Sequence, residues 1–167
     1  MGSDSDLGIM KQALELLEQM EIPYEVSICS AHRTPDRALE YAKAARGRDL
    51  RVIIAAAGLA AHLPGVLAAA TTLPVIGVPM ASGALRGVDA LYSIAQMPPG
   101  IPVGSVGIDG AKNAALLAAA IVSTFDEAVA ATLNRFRSEQ ASSVQAKHDR
   151  LQSVGYQEYL AGGKQPS

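Results

Sequence analysis

The stretch ICSAHRTPDRA, Ile28 to Ala38, sets a histidine directly beside an arginine. His32 is the kind of side chain most readily used for proton transfer near neutral pH. Arg33 can clamp a phosphate or a carboxylate with its planar fork of donors. Taken singly, each also suits an ordinary role, a surface arginine and a histidine bonded to nearby backbone. Three further stretches carry chemistry of a related kind. GSDSD, Gly2 to Asp6, offers the Ser3 and Ser5 hydroxyls to phosphate oxygens at a helix start, and the Asp6 carboxylate suits two ribose hydroxyls; helix capping is the plainer use of the same residues. AAAGLAAHLPG, Ala55 to Gly65, is small enough for main chain to lie against a flat ligand, with Gly58 in its middle and His62 at the next helix start. PMASGALRG, Pro79 to Gly87, has the length and glycine content of a covering loop. QMPPGIP, Gln96 to Pro102, reads as a proline-stiffened rim.

These stretches recur at one kind of seam. Apolar residues from Leu7 to Met20 (Leu7, Met10, Ala13, Leu14, Leu17, Met20) follow helical spacing until Pro23. Tyr24 to Ser30 reads as a strand, then TPDRALEYAKAARG as a helix with Thr34 as N-cap, Pro35 at its first position and Gly47 as C-cap. VIIAA, PVIGVP and IPVGSVGI read as further strands, separated by the helices PGVLAAATT and GVDALYSIAQM and followed by AKNAALLAAAIVSTF. Short, continuously apolar strands alternating with helices predict a parallel sheet covered on both faces. In such sheets ligands bind beyond the carboxyl ends of the strands, where the four stretches fall. The residues themselves point to a small phosphorylated, ribosylated ligand and a histidine able to move a proton; they name no reaction.

The 167 residues suit one domain core. A net charge of −2 gives no electrostatic case for nucleic acid or a membrane surface. The one cysteine, Cys29, excludes an internal disulfide and a cysteine-rich zinc site, and its place in a strand predicts a buried, inert thiol. No signal peptide or spanning segment is visible, so a cytoplasmic protein is expected. From residue 126 to about 155 the pattern stays helical but turns polar, with sparse anchors at Leu133, Phe136, Val144 and Leu151, which predicts an extension that packs on a neighbouring subunit. Residues 156–167 read as a disordered tail.

The strings MGSDSD, SAHRTPDR, AAHLPG, GVDALYSIAQMPPGIPVG and NAALLAA occur in this order over residues 1–125. Together they resemble the PurE family of de novo purine biosynthesis, class I. The resemblance implies a flavodoxin-like three-layer α/β/α subunit in a homo-octamer, with its C-terminal helix on neighbours. It implies a mutase that moves a carboxyl group from the exocyclic nitrogen of N5-carboxyaminoimidazole ribonucleotide to C4 of the imidazole. A second branch carboxylates aminoimidazole ribonucleotide directly and carries a Ser-Asn-containing string where this chain has AAHLPG. By the same resemblance His32 is the proton-transfer group, while Ser3, Ser5, Asp6, Ser30, Arg33, Gly58 and His62 contact substrate. No metal or other cofactor is implied. An inactive scaffold of the same fold and a flavin-binding module are the alternatives; few aromatics are available to sandwich a flavin.

Two departures from the family pattern stand out. Ala56 and Leu59 replace glycines common there, and Leu59 adds bulk near the base pocket. The family also places a strand before the first loop, whereas this sequence begins almost at it. The expectation is therefore a misassigned start or a shortened sequence, leaving sheet edges exposed.

Overall fold

The computed structural model of the protein describes residues 1–162. Its regular elements are α1 (Leu7–Gln19), α2 (Pro35–Ala45), β1 (Ile53–Gly58), α3 (Leu63–Ala70), β2 (Val75–Met80), α4 (Val88–Ala95), β3 (Gly104–Ser105), α5 (Ala111–Val122) and α6 (Glu127–Ala161). Residues 1–130 form one compact unit, and the chain from Ala131 onward forms a second.

The sheet is parallel, in the order β1-β2-β3. Ile53 pairs with Val75 and the register runs to Gly58 opposite Met80, while Ile76 and Gly77 pair with Gly104 and Ser105. Every residue of β2 is buried, as a central strand covered on both faces requires. One face carries α2, α3 and α4, whose Ala38, Ala42, Ala45, Leu63, Leu67, Ala90 and Ile94 pack with Ile53, Ala55 and Ala57 of β1. The other is covered by α5, which lies against β1 and β2 and along α1. Alanines at 111, 114, 115, 118 and 119 are the buried face of α5, so α1 approaches closely with Met10, Ala13, Leu16 and Leu17. A core short of aromatics is thus filled by close helix–sheet approach. The flavodoxin-like α/β reading is what the chain adopts.

Gly77 shows how tight that approach is. A Cβ there would stand 2.3 Å from Cγ2 of Ile94 and 3.3 Å from Pro64. Gly77→Ala is expected to destabilise the protein by about 1–3 kcal/mol through overpacking. Its urea midpoint should fall, and an unchanged midpoint would mean that α4 yields freely.

Several local expectations differ from what forms. Tyr24 to Ser30 is not a ladder strand. Its connection to the sheet runs through Met1 and Gly2: the Met1 ammonium donates to the Ser27 carbonyl at 2.9 Å, Cys29 N–H to Met1 O at 2.9 Å, and Gly2 N–H to Ala56 O at 3.1 Å. These bonds tie the segment to the sheet at isolated points rather than along a ladder, and Val26 and Ile28 remain 47% and 46% exposed. Cys29 is buried as expected. In α1, Leu16 belongs to the buried face and Leu7 is exposed, because α1 turns its stripe toward α5. Gly47 does not cap α2; the chain tightens into a 3₁₀ turn over Arg46–Arg48 and reverses at Asp49, φ 61°. The strand read in IPVGSVGI shrinks to Gly104–Ser105. Helix α6 continues through residues 156–161 beyond a break at Gly155, φ 75°, so this part of the expected tail is helical. Residues 163–167 lie outside the described residues. No described helix is long and apolar enough to cross a membrane.

Candidate active site

The first loop folds as a 3₁₀ turn, Asp4–Asp6, leading into α1. Ser3 caps it: its Oγ accepts from Ser5 N–H at 3.3 Å, and Asp6 Oδ2 accepts from Ser3 N–H at 3.3 Å. This reciprocal pairing is a capping box. The Ser5 hydroxyl donates to Ser3 Oγ at 2.9 Å, so Ser3, Ser5 and Asp6 form one polar cluster. Asp6 is buried. Burial pushes its carboxyl above the ordinary range, partly offset by the Ser3 N–H bond, the nearby N-terminal ammonium and the Ser5 hydroxyl.

The second loop is drawn toward the first by Arg33. Its Nη2 donates to Gly2 O at 3.0 Å, its backbone N–H to Ser30 Oγ at 3.2 Å, and its Nε to the same hydroxyl at 3.5 Å. Ser30 N–H in turn donates to Thr34 Oγ1 at 2.9 Å. Thr34 therefore stands at the cap position of α2 but closes the turn behind it instead of capping the helix. This turn fixes the direction in which the neighbouring His32 leaves the chain.

His32 Nε2 lies 2.7 Å from His62 Nδ1, with the rings at 80° and centroids 4.9 Å apart. One nitrogen must donate and the other accept, so the pair cannot make this bond with both rings doubly protonated. His62 occupies the N-cap position of α3, directly after β1 and its loop. Both rings are exposed and open to a ligand.

Gly58 ends β1, and a Cβ there would stand 2.2 Å from Ser82 Oγ, so the covering loop Pro79–Gly87 rests on the β1 end. Leu59 next to it has φ 55°. That left-handed conformation disfavours a branched side chain, which accounts for glycine being the easier residue there; Leu59 instead lays a methyl group over Gly83. Asp109, also left-handed, accepts from Ala81 N–H with Oδ1 at 2.9 Å and pins the start of the covering loop. Asp109 did not stand out in the sequence, since a lone aspartate in a loop has no periodic signal; Ser82 and the glycines at 83 and 87 marked the covering segment without giving the serine a role.

The structure thus joins the four loops in a chain of contacts: Gly2 to β1, Arg33 to Gly2, His32 to His62, and Ser82 to Gly58. A polar set (Ser3, Ser5, Asp6, Arg33) and a pair of hydrogen-bonded imidazoles lie along one edge. A cationic fork, a carboxylate and two serine hydroxyls suit a sugar phosphate; imidazoles suit acid–base work on whatever it carries.

Residues 1–143 match the family model described as AIR carboxylase. The chain is 56% identical to the N5-carboxyaminoimidazole ribonucleotide mutase of Pyrococcus abyssi, over 97% of this chain and 93% of that protein. It is 52% identical to the phosphoribosylaminoimidazole carboxylase of Schizosaccharomyces pombe, over 96% of this chain but 29% of that longer protein. Among solved structures, Treponema denticola PurE superposes with a TM-score of 0.83 at 31% identity, covering 90% of this chain and 94% of the other.

Proposed function

As the chain belongs to the AIR carboxylase family, we propose that it is an N5-carboxyaminoimidazole ribonucleotide mutase of purine biosynthesis, acting in the cytoplasm. Mutases of that name match it over nearly their whole length, whereas the carboxylase match covers a minor segment of a larger protein. The single structural observation carrying the chemistry is the His32–His62 contact at 2.7 Å, beside the polar loops.

The substrate is a carbamate on an imidazole ribonucleotide. Ser3, Ser5 and Arg33 take its phosphate, Asp6 accepts from ribose hydroxyls, and Ser30 holds Arg33 in place. The base lies over Gly58 toward His62. A proton delivered by His32 to the exocyclic nitrogen turns that nitrogen into a leaving amine, and the N–CO2 bond breaks to free CO2. The aminoimidazole then uses its enamine-like electrons to form the C4–CO2 bond. The new C4 centre still carries its hydrogen, which neutral His32 removes, restoring the ring and the starting protonation state. CO2 is weakly held, so the second bond must form before it escapes, which a close, water-poor pocket favours. His62 acts through His32: when His32 takes a proton at its other nitrogen, the proton on Nε2 can pass to His62 Nδ1, which spreads the charge over two rings.

We also propose a homo-octamer in which α6 packs on neighbouring subunits. The helix leaves Val144, Tyr156 and Leu160 between 66% and 72% exposed, and a mostly polar helix with such spaced apolar residues suits an intersubunit contact. Analytical ultracentrifugation should give about eight times the monomer mass. Truncation at residue 126 should lower that mass, and a monomeric full-length protein would contradict the assembly.

The test of the function is ATP-free turnover of two substrates. N5-carboxyaminoimidazole ribonucleotide should be converted to 4-carboxy-5-aminoimidazole ribonucleotide efficiently, and aminoimidazole ribonucleotide with bicarbonate poorly. The reverse preference would move the protein to the direct carboxylases.

A further inference from the structure

Thr34 stands where a helix cap belongs and directs its hydroxyl elsewhere. It precedes α2, with Pro35 at the first helical position, and its side chain makes no capping bond to the helix. A threonine in that place ordinarily accepts from an N–H of the first turn. Instead Thr34 Oγ1 faces back along the chain. It accepts from Ser30 N–H at 2.9 Å and donates to Ser30 O at 3.2 Å. Thr34 N–H donates to the same carbonyl at 2.9 Å. One side chain thus holds both main-chain groups of Ser30.

The turn closed in this way, residues 30–34, carries two side chains of the site. Arg33 has bonds of its own, from its N–H and Nε to Ser30 Oγ and from Nη2 to Gly2 O. His32 rides at the middle of the turn, its ring tied through Nε2 to His62 Nδ1 at 2.7 Å. His32, Arg33 and Thr34 are all exposed, so the core does not pack around them to fix their directions. Hydrogen bonds at such exposed positions add little to global stability. They do restrict the turn to one geometry, and the geometry of the turn sets where the His32 ring points.

We propose that Thr34 is a positioning residue for the proton transfer, its hydroxyl bracing the turn that aims the His32 ring. The kinetic consequence rests on the mutase reading above; the placement of the ring rests on the hydrogen bonds alone. A group that moves a proton must lie within hydrogen-bond reach of its target, and a small misplacement lowers the rate steeply. The brace therefore acts on rate more than on affinity, because Arg33 keeps its separate bonds to Ser30 and Gly2.

The test compares Thr34→Val, which keeps the β-branched shape and removes the hydroxyl, with Thr34→Ser, which keeps the hydroxyl. Thr34→Val should lower kcat by about tenfold with KM within about threefold of wild type, and Thr34→Ser should restore kcat to within about twofold. In a His32→Asn background Thr34→Val should lower kcat by less than about twofold, since the residue it positions is gone. The melting temperature of Thr34→Val should stay within about 2 °C of wild type. Labelling of the ligand-free proteins with diethyl pyrocarbonate, read at His32 by peptide mass spectrometry, needs no turnover. His32 should react about fivefold faster in Thr34→Val, the effect of one weakened hydrogen bond to His62, and at the wild-type rate in Thr34→Ser. A Thr34→Val enzyme with normal kcat, a Thr34→Ser enzyme as slow as Thr34→Val, an undiminished loss in the His32→Asn background, a larger fall in melting temperature or unchanged labelling would each overturn the assignment. Wild-type protein without ATP-free turnover would overturn the mutase reading instead, and the labelling rates would still decide the role of Thr34.

Discussion

His32→Asn is expected to lower kcat by about 10³-fold, within the 10²–10⁴ range typical of a general acid–base group, while leaving the protein folded. His32 is exposed and its side chain bonds to His62 rather than to the core. Asparagine keeps a polar group of similar reach but cannot carry a proton, so the loss should fall on kcat more than on KM. Stability should change by less than about 0.5 kcal/mol, as for exposed sites generally. His62→Asn should be milder, about tenfold in kcat, and should also change the pH profile, since His32 would lose the ring that shares its proton. Steady-state kinetics from pH 5 to 9 on both variants checks this. A His32→Asn enzyme with a tenth or more of normal turnover would remove His32 from the mechanism.

Asp6→Asn is expected to raise KM by about 10–100-fold, the effect of losing charge-assisted bonds to the ribose, and yet to stabilise the protein at neutral pH. Burial raises the Asp6 carboxyl above its ordinary 3.8. The folded protein therefore keeps this proton to higher pH than the unfolded chain does. Between the two values the native state binds more protons, so the contribution of Asp6 to stability falls as pH rises through that window and stays low above it. Asparagine carries no charge to desolvate, and its oxygen can still accept from Ser3 N–H. Melting curves against pH should show the variant gaining on wild type from about pH 4 upward. A variant less stable than wild type at pH 7 would mean that the bonds around the carboxylate outweigh the cost of burying it.

The fold was readable because its signals are repetitive. VIIAA and PVIGVP are apolar runs bounded by prolines and glycines, and the alanines of α5 return at helical spacing. The candidate site could be named because His32, Arg33 and His62 are costly residues to place at strand-to-helix seams. What escaped depends on tertiary partners. Whether Tyr24–Ser30 joins a ladder depends on what lies beside it, and there Met1 makes two hydrogen bonds to the segment while Gly2 makes one to β1. The choice of Leu16 over Leu14 follows from where α5 lies, which α1 alone cannot specify. The His32–His62 bond joins residues 30 positions apart, and no local pattern announces it.

The central claim is that the carboxyl group moves within one site. It is tested most directly with N5-carboxyaminoimidazole ribonucleotide labelled with carbon-13 in the carbamate, turned over in excess unlabelled bicarbonate without ATP. The mutase account predicts that the label stays in the 4-carboxy product, because freed CO2 is recaptured before it leaves. Unlabelled product would show that the carboxyl group comes from solution, and would contradict it.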